Sequence, residues 1–232
     1  PPGNRDLWIS TRETQEAPWS APLRLPPEIN TDGNEEEPQI SADGLSLSFR
    51  RNARWFLSTR GNLNAPWQKA IPDPIAVGKR RDYRLTPDGL SAFRPRVMIP
   101  QKVRAPADGG LMVWRRSSIE DSFDDRAMSD ELLPSVTRFG NMGSMSNDGR
   151  LFIYNQNRDP EKEKSGSMLV MSTRPDWNHP WSKPIPLFPD DSLWAASPRL
   201  LRDGKSILFI SKRPGGYGAN DIWMAELVKK SD

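Results

Sequence analysis

Short runs of alternating apolar and polar residues, separated by turn residues, extend along the whole chain. The clearest case lies near the C-terminal end, where residues 197–201, 206–211 and 221–227 predict three successive β-strands. Asp203-Gly204 joins the first two, because this pair tolerates the positive φ angles of a tight hairpin. A Pro-Gly-Gly stretch at 214–216 separates the second strand from the third. The segment therefore predicts an antiparallel sheet.

This pattern recurs along the chain with some drift. Asp-Gly pairs follow one another at intervals of about 45–60 residues, each between two short predicted strands. A third strand follows, which ends in Ser-Thr-Arg in the clearest copies, and a fourth strand begins after a Pro-Trp pair. We label these strands A to D. In the repeat at 81–133, which lacks the Pro-Trp pair, Phe123 is predicted to stand in for the tryptophan. The four Asp-Gly pairs that fit this pattern begin at Asp43, Asp88, Asp148 and Asp203.

Four strands in a repeat of this length are typical of a β-propeller blade. We predict one all-β propeller domain over 1–232, most simply with five blades of about four antiparallel strands, and with almost no helix. A six-bladed ring and a fragment of a larger propeller stay open as alternatives. The insertion at 95–110 should be the most irregular part. The predicted blades are a partial one at 6–25, which has only C and D strands, then 35–73, 81–133, 139–189 and 194–232, the last without a D strand.

The composition fits an all-β domain with an aromatic core. Apolar residues make up 35%, but nine are Trp, and each large aromatic buries about 150–250 Å². The 23 Pro and 16 Gly disfavour long helices. A net charge of +3 gives no support for nucleic-acid binding, and no run approaches the roughly 18 apolar residues of a membrane span. The absence of Cys excludes disulfides, thiol catalysis and Cys-ligated metals. We expect a monomer, and a start without Met indicates a processed chain or a part of a longer protein.

The last repeat resembles a known family. Its pattern, Asp-Gly-x4-Phe followed by Ser-x-Arg-Pro-Gly-Gly-x-Gly-x-x-Asp-Ile-Trp, resembles the WD40-like PD40 repeat of TolB-type propellers. The resemblance covers nearly the whole chain, is weakest at 81–133, and implies a fold more than an activity. It also implies an interaction module of the kind found in secreted, periplasmic or multidomain bacterial proteins, so we favour a secreted or periplasmic location. The matching residues are Asp203, Gly204, Phe209, Ser211, Arg213, Pro214, Gly215, Gly216, Gly218, Asp221, Ile222 and Trp223.

Candidate catalytic chemistry is sparse. His179 is the single histidine and falls in a predicted C–D loop where other repeats have alanine, which indicates an exposed and inert side chain. No nucleophile–base pair or metal-ligand cluster is recognisable, so we expect no cofactor and no metal. Seven Trp occur on C strands or at the start of D strands, which predicts packing between blades. Trp194 is outside that scheme, because it precedes an A strand, and is the better candidate for a ligand contact.

Charged residues concentrate at the end of the predicted blades opposite the Asp-Gly hairpins. The loops that lead into the A strands differ in sequence from repeat to repeat far more than the hairpins do. These loops are predicted at 29–38, 74–82, 134–143 and 189–197. Variable loops on a rigid scaffold are where binding usually resides. These residues are therefore predicted to form a binding mouth around the propeller axis; the alternative is that they form ion pairs which hold the loops. The candidates are Glu36, Glu37, Arg51, Arg80, Asp82, Asp191, Trp194 and Arg213.

We predict a non-catalytic binding or scaffolding module that recognises a protein or a polar ligand. One alternative is a carbohydrate-active enzyme or lectin on a five-bladed propeller, for which Glu36, Asp82 and Asp191 form the one set of carboxylates from three different blades that we can nominate. Another alternative is the sensor domain of a larger protein. A ligand is expected to be a protein, a polar molecule or a carbohydrate.

Overall fold

A computed structural model describes residues 4–14, 16–41, 43–73, 84–95, 111–118, 121, 123, 128–130, 143–157, 166–188 and 193–228. All regular structure in these ranges is β-strand. No helix in them is long and apolar enough to cross a membrane. The chain divides into two compact units, residues 1–81 and 82–232, which are described one at a time.

The first unit contains one small and one complete sheet. Strands β1 (Trp8–Ile9) and β2 (Leu23–Arg24) form an antiparallel pair. The complete sheet follows the chain without crossovers. Its four antiparallel strands are β3 (Glu35–Ile40), β4 (Ser46–Arg51), β5 (Arg54–Thr59) and β6 (Ile71–Pro72).

The second unit contains three further sheets, in which each strand again pairs with its neighbour in sequence. The first consists of β7 (Arg84–Leu85), β8 (Ser91–Pro95), β9 (Leu111–Arg115) and β10 (Met128–Asp130). The second consists of β11 (Gly143–Met145), β12 (Leu151–Asn157), β13 (Ser167–Thr173) and β14 (Ile185–Pro186). The third, which we call the last sheet, consists of β15 (Ala195–Leu200), β16 (Ser206–Ser211) and β17 (Asp221–Glu226).

These sheets are the predicted blades. Up-and-down sheets of four antiparallel strands are the unit from which β-propellers are built. The all-β propeller class is confirmed. The described strands include a two-stranded sheet at the start and a three-stranded sheet at the end. The number of blades and a single domain over 1–232 stay predictions. Apart from Pro95, the insertion at 95–110 lies outside the described residues.

The Asp-Gly hairpins share one turn chemistry. At the first turn, Asp43 Oδ1 accepts hydrogen bonds from the Ser41 hydroxyl, at 2.5 Å, and from the Leu45 N–H, at 2.9 Å. Gly44 has a φ of 74°, in the left-handed region that favours glycine. The next two hairpins repeat the arrangement with Thr86 and Ser146 in the place of Ser41. These residues explain why the chain reverses at each predicted position.

An arginine at the end of three C strands fastens the hairpin to the D strand. The Nε atoms of Arg60, Arg116 and Arg174 each donate to the carbonyl oxygen of the turn glycine, at 2.7–2.9 Å. Each guanidinium also stacks on the aromatic residue that precedes the D strand. The guanidinium-to-ring distances are 4.4 Å for Arg60 and Trp67, 4.8 Å for Arg116 and Phe123, and 4.2 Å for Arg174 and Trp181. Phe123 therefore takes the predicted place of the tryptophan.

The last sheet has leucine at this arginine position. The N–H of Leu227 donates to the carbonyl of Lys205, two residues after Asp203. In the same way the N–H of Arg60 donates to the carbonyl of Leu45, two residues after Asp43. Leu227 is thus the structural equivalent of Arg60, but it has no guanidinium that could bond to Gly204 or stack on an aromatic ring.

Aromatic packing joins two neighbouring sheets of the second unit. Phe152 lies edge-on to Phe93, with ring centroids 5.7 Å apart, and also contacts Trp181 at 6.0 Å. At the hairpin end, Trp177 contacts two guanidinium groups, Arg115 of the preceding sheet at 3.6 Å and Arg174 at 4.3 Å. Burial, and then the nearby charge of Arg174, lowers the pKa of Arg115. Trp177 thus bridges two sheets through two like charges.

The expectation that all seven repeat-position Trp pack between blades was wrong for two of them. Trp8, on β1, is 58% exposed, and Trp19, before β2, is 54% exposed. The C-strand Trp also differ in register. Trp55 pairs with Arg50, Trp114 with Ala92 and Trp223 with Phe209, which are the seventh, fourth and sixth residues after the Asp of their hairpins.

One buried tyrosine gives a pH-dependent prediction. Tyr154 is 1% exposed, and burial raises its pKa, which the hydrogen bond to Ser172 offsets only in part. The stability that follows from this shift is complete below the unfolded pKa of about 10 and is lost as pH rises through the higher folded pKa. We expect an alkaline absorbance titration to show a late tyrosinate step that Tyr154→Phe removes. Tyr217→Phe, at a fully exposed position, should leave that step in place; loss of the step in this control would contradict the assignment.

Candidate functional site

A cluster of three glutamates on β3, two arginines on β4 and one arginine before β1 lies in the first unit. Arg51 Nε donates to Glu35 Oε1 at 2.8 Å, and its Nη2 donates to the Ile29 carbonyl at 2.6 Å. Arg50 donates to Glu37 at 2.5 Å and lies 3.4 Å from Glu36. Arg5 completes the cluster at 2.7 Å from Glu36. Of the predicted mouth, Glu36 and Glu37 therefore share ion pairs with Arg5 and Arg50, whereas Arg51 pairs with Glu35.

The predicted loop at 29–38 is shorter than expected, because Glu36 and Glu37 are already part of β3. The physical reason is cross-strand pairing. Glu35 lies opposite Arg51 and Glu36 opposite Arg50, and opposite charges on paired strands stabilise the pairing. The same contacts agree with the alternative interpretation, in which the charges fix the strands to each other.

A bulge with a left-handed residue interrupts the A strands β3 and β15 at equivalent positions. Glu37 has a φ of 54° and Ser197 a φ of 55°, and the register shifts at both places. Proline follows each of them, as Pro38 and Pro198, and lacks the N–H that the ladder would need there. Bulges re-aim side chains and are frequent near active sites, and left-handed non-glycine residues persist where surrounding structure enforces them.

In the second unit, two predicted mouth residues sit at the start of β15 and just after β16. The Trp194 carbonyl accepts a hydrogen bond from the Ser211 hydroxyl at 2.8 Å, and Lys212 Nζ lies 5.8 Å from its ring. The Arg213 guanidinium stacks on Phe188 at 4.3 Å and on Phe209 at 4.8 Å. Arg213 is thus anchored to the apolar core, whereas Trp194 is a half-buried ring next to a lysine. Arg80, Asp82 and Asp191 lie outside the described residues.

His179 has the exposed loop position that the sequence predicted. Its Nδ1 lies 2.9 Å from Asp176 Oδ1, and more than half of its side chain is exposed. The hydrogen bond with His179, followed by the Asn178 N–H, lowers the pKa of Asp176. This pair is solvent-facing and contacts no nucleophile in the described ranges. Among the described residues, no three or more His, Cys, Asp or Glu come together as metal ligands.

Sequence reasoning missed a groove in the second unit, between the last sheet and the sheet before it. Its volume is about 790 Å³, within the range of ligand pockets. Its walls are largely aliphatic, and Arg150 and Arg202 lie on the rim. The signal in the sequence was Leu227, where the four other repeats have arginine. The wall residues include Leu151, Met171, Thr173, Ile185, Leu200, Leu201, Gly204, Leu227 and Val228.

No protein-family profile matches the sequence, and a comparison with curated proteins found no match. Among solved structures, the chain is similar to a putative TolB from Agrobacterium tumefaciens, with 19% identity and a TM-score of 0.47 over 89% of this chain and 62% of that one. TolB from Acinetobacter baumannii gives 12% identity and 0.47 over 89% and 44%. The β-propeller domain of the Trilobed protease from Pyrococcus furiosus gives 10% and 0.42 over 90% and 58%. The chain thus spans less than two thirds of each, and similarity at this level carries no information on ligand or activity.

Proposed function

We propose that this chain is a non-catalytic binding module built from PD40-type repeats. It would recognise a protein or a polar ligand through residues around the starts of its A strands. The observation that carries the proposal is the repeated bulge, with left-handed Glu37 in β3 and left-handed Ser197 in β15. Each bulge holds a strained backbone residue beside partly exposed charges or an aromatic ring. Strain of this kind, at equivalent positions of two strands, is typical of sites where a bulge aims side chains at a ligand.

The side chains near these bulges suit a charged partner. Glu37 and Arg50 retain partial exposure, at 27% and 22%, so a ligand could exchange for one of their ion pairs. Trp194 and Lys212 together offer an apolar face beside a positive charge. A role of Glu36 as a glycosidase carboxylate fits less well, because both of its oxygens already face arginines, Arg5 and Arg50.

The test uses alanine substitutions at Arg80, Asp82 and Trp194, with Lys205→Ala at an exposed hairpin position as the control. Wild-type and variant proteins are applied to an array of acidic and basic peptides and to a glycan array. We expect a charged peptide to bind, more weakly as salt rises, and to lose most of its binding in the three variants but not in the control. Each variant should change the free energy of unfolding by about 0.5 kcal/mol or less, as is usual for surface positions.

Two results would contradict the proposal. Unfolding of the three variants would show that these side chains hold the fold together and do not serve a ligand. Reproducible glycoside hydrolysis, abolished by changing Glu36, Asp82 or Asp191, would identify an enzyme.

A further inference from the structure

A stack of alternating arginine and tryptophan side chains lies at the hairpin end of the second unit. Its inner part is Arg174, which is buried, lies 4.2 Å from the Trp181 ring and donates to the Gly149 carbonyl. Trp177 covers Arg174 at 4.3 Å, and Arg115 of the preceding sheet covers Trp177 at 3.6 Å. Arg115 is exposed. The stack therefore ends in a guanidinium that faces solvent.

The two outer members of the stack depart from the repeat. Arg115 directly precedes the arginine that ends its C strand, a position at which three other repeats have threonine. These threonines are Thr11, Thr59 and Thr173. Trp177 covers the turn glycine of its sheet, as Leu63 does in the first complete sheet, and each stands three residues after the hairpin arginine. Since threonine and leucine complete this arrangement elsewhere, the fold does not by itself require Arg115 and Trp177.

The Arg115 guanidinium is held by its face and not by its edge. Stacking on an indole fixes the plane of the group, and its N–H donors point outward from that plane's edge. Among the described residues, no carboxylate or carbonyl accepts a hydrogen bond from Arg115. Burial and the charge of Arg174 both lower its pKa, and no carboxylate opposes them. The site thus holds an oriented positive charge without a counter-charge from the described part of the chain.

We propose that the edge of Arg115, held on the Trp177 ring, binds a carboxylate group of a ligand. One guanidinium can donate two parallel hydrogen bonds, which match the two oxygens of a carboxylate. This site is separate from the A-strand starts on which the proposed function rests, so its failure would leave that proposal in place.

Neighbouring charges favour a singly charged carboxylate over a phosphate. Asp148 and Asp176 directly precede Gly149 and Trp177, the two residues that meet at the ring. The pKa of Asp176 is lowered by its hydrogen bond with His179, so this side chain stays ionised at neutral pH. Nearby negative charges repel a doubly charged ligand more than a singly charged one.

Side-chain signals in proton–nitrogen correlation spectra of the full chain report on the site directly. Sodium acetate is the probe, titrated against sodium chloride at constant ionic strength. We expect the Nε–H signal of Arg115 and the indole N–H signal of Trp177 to shift saturably and with one common dissociation constant. Arg24 is the matched control, because Asp6 already occupies its edge at 2.8 and 3.0 Å, and its signal should not move.

Three further probes identify the source of the carboxylate. They are sodium phosphate, a capped pentapeptide with one central glutamate, and the same peptide with glutamine. The glutamine peptide should bind at least tenfold more weakly than the glutamate peptide, because it lacks the charge. Tighter binding of the glutamate peptide than of acetate would assign the site to a partner polypeptide, and equal binding to a small carboxylic acid. Tighter binding of phosphate than of acetate would contradict the carboxylate assignment.

Variants that introduce the residues of the other repeats separate binding from folding. Arg115→Thr should abolish the acetate-dependent shift of the Trp177 indole, and Trp177→Leu should weaken acetate binding at Arg115 by about two- to fivefold. Both should stay folded by circular dichroism, and their spectra assign the two signals. Arg115→Lys keeps the charge without the fork and should also weaken binding, so it tests the site even if Arg115→Thr unfolds.

Two results would overturn the proposal. One is a linear shift of the Arg115 signal that chloride reproduces. The other is an indole shift of Trp177 that persists unchanged in Arg115→Thr or Arg115→Lys. Either would show that the stack only joins the two sheets.

Discussion

Trp181→Ala should lower the free energy of unfolding by about 3–5 kcal/mol, the usual cost of removing a large buried aromatic. Trp181 is 5% exposed and contacts Phe152 and Arg174. Its deletion leaves a cavity between two sheets and removes the ring on which Arg174 stacks. Urea unfolding followed by far-UV circular dichroism measures the change.

Trp19→Ala is the matched control, because it holds the same repeat position but is 54% exposed. It also stacks under an arginine, Arg12, at 4.5 Å. We expect a cost below about 1 kcal/mol, since an exposed cation–π contact contributes little more. Similar losses for the two variants would show that the repeat position, and not burial, sets the contribution.

Gly149→Ala should be markedly more destabilising than Gly204→Ala, although both follow an Asp in the same kind of turn. Their φ angles are 67° and 68°, so the left-handed strain of about 1–2 kcal/mol applies to both. The new methyl at 149 also meets Trp177 at 1.9 Å, whereas that at 204 meets nothing within 4 Å. Overpacking should therefore lower the free energy of unfolding by a further amount of about 1–3 kcal/mol for Gly149→Ala, and not for Gly204→Ala.

A Trp177→Ala background tests the cause. In this background, Gly149→Ala and Gly204→Ala should lower the free energy of unfolding by similar amounts in the same denaturation assay. If the difference persists without the indole, the contact with Trp177 is not its origin.

The sequence predicted the sheets well because turn chemistry is local. At the four hairpins the Asp-Gly pair places the glycine in the left-handed region, and in the first two the hydroxyl of Ser41 or Thr86 closes the same ring of hydrogen bonds. Even the substitution of Phe123 for tryptophan could be predicted, because Phe123 stands seven residues after Arg116, the same spacing as from Arg60 to Trp67.

Contacts between strands could not be predicted in the same way. Trp55, Trp114 and Trp223 all fall on C strands, but they stand five, two and four residues before Arg60, Arg116 and Leu227. Those three residues, and not the tryptophans, occupy equivalent places in the pairing. The ion pairing of Glu36 and Glu37 depends on a register that a proline-induced bulge shifts. The groove beside Leu227 depends on what a neighbouring sheet leaves uncovered, and a single repeat carries no such information.

The contacts of Trp177 have a consequence for how the second unit opens. Arg115 and Arg174 come from two sheets and share this ring, so loosening either sheet disturbs the other. The last sheet has Leu227 at the corresponding arginine position and is tied to the sheet before it in another way, because the N–H groups of Ser197 and Leu200 donate to Asn155 and Ser144. The shared ring of Trp177 couples β8 and β9 to β12 and β13, so amide hydrogen exchange should be slow and concerted in these four strands.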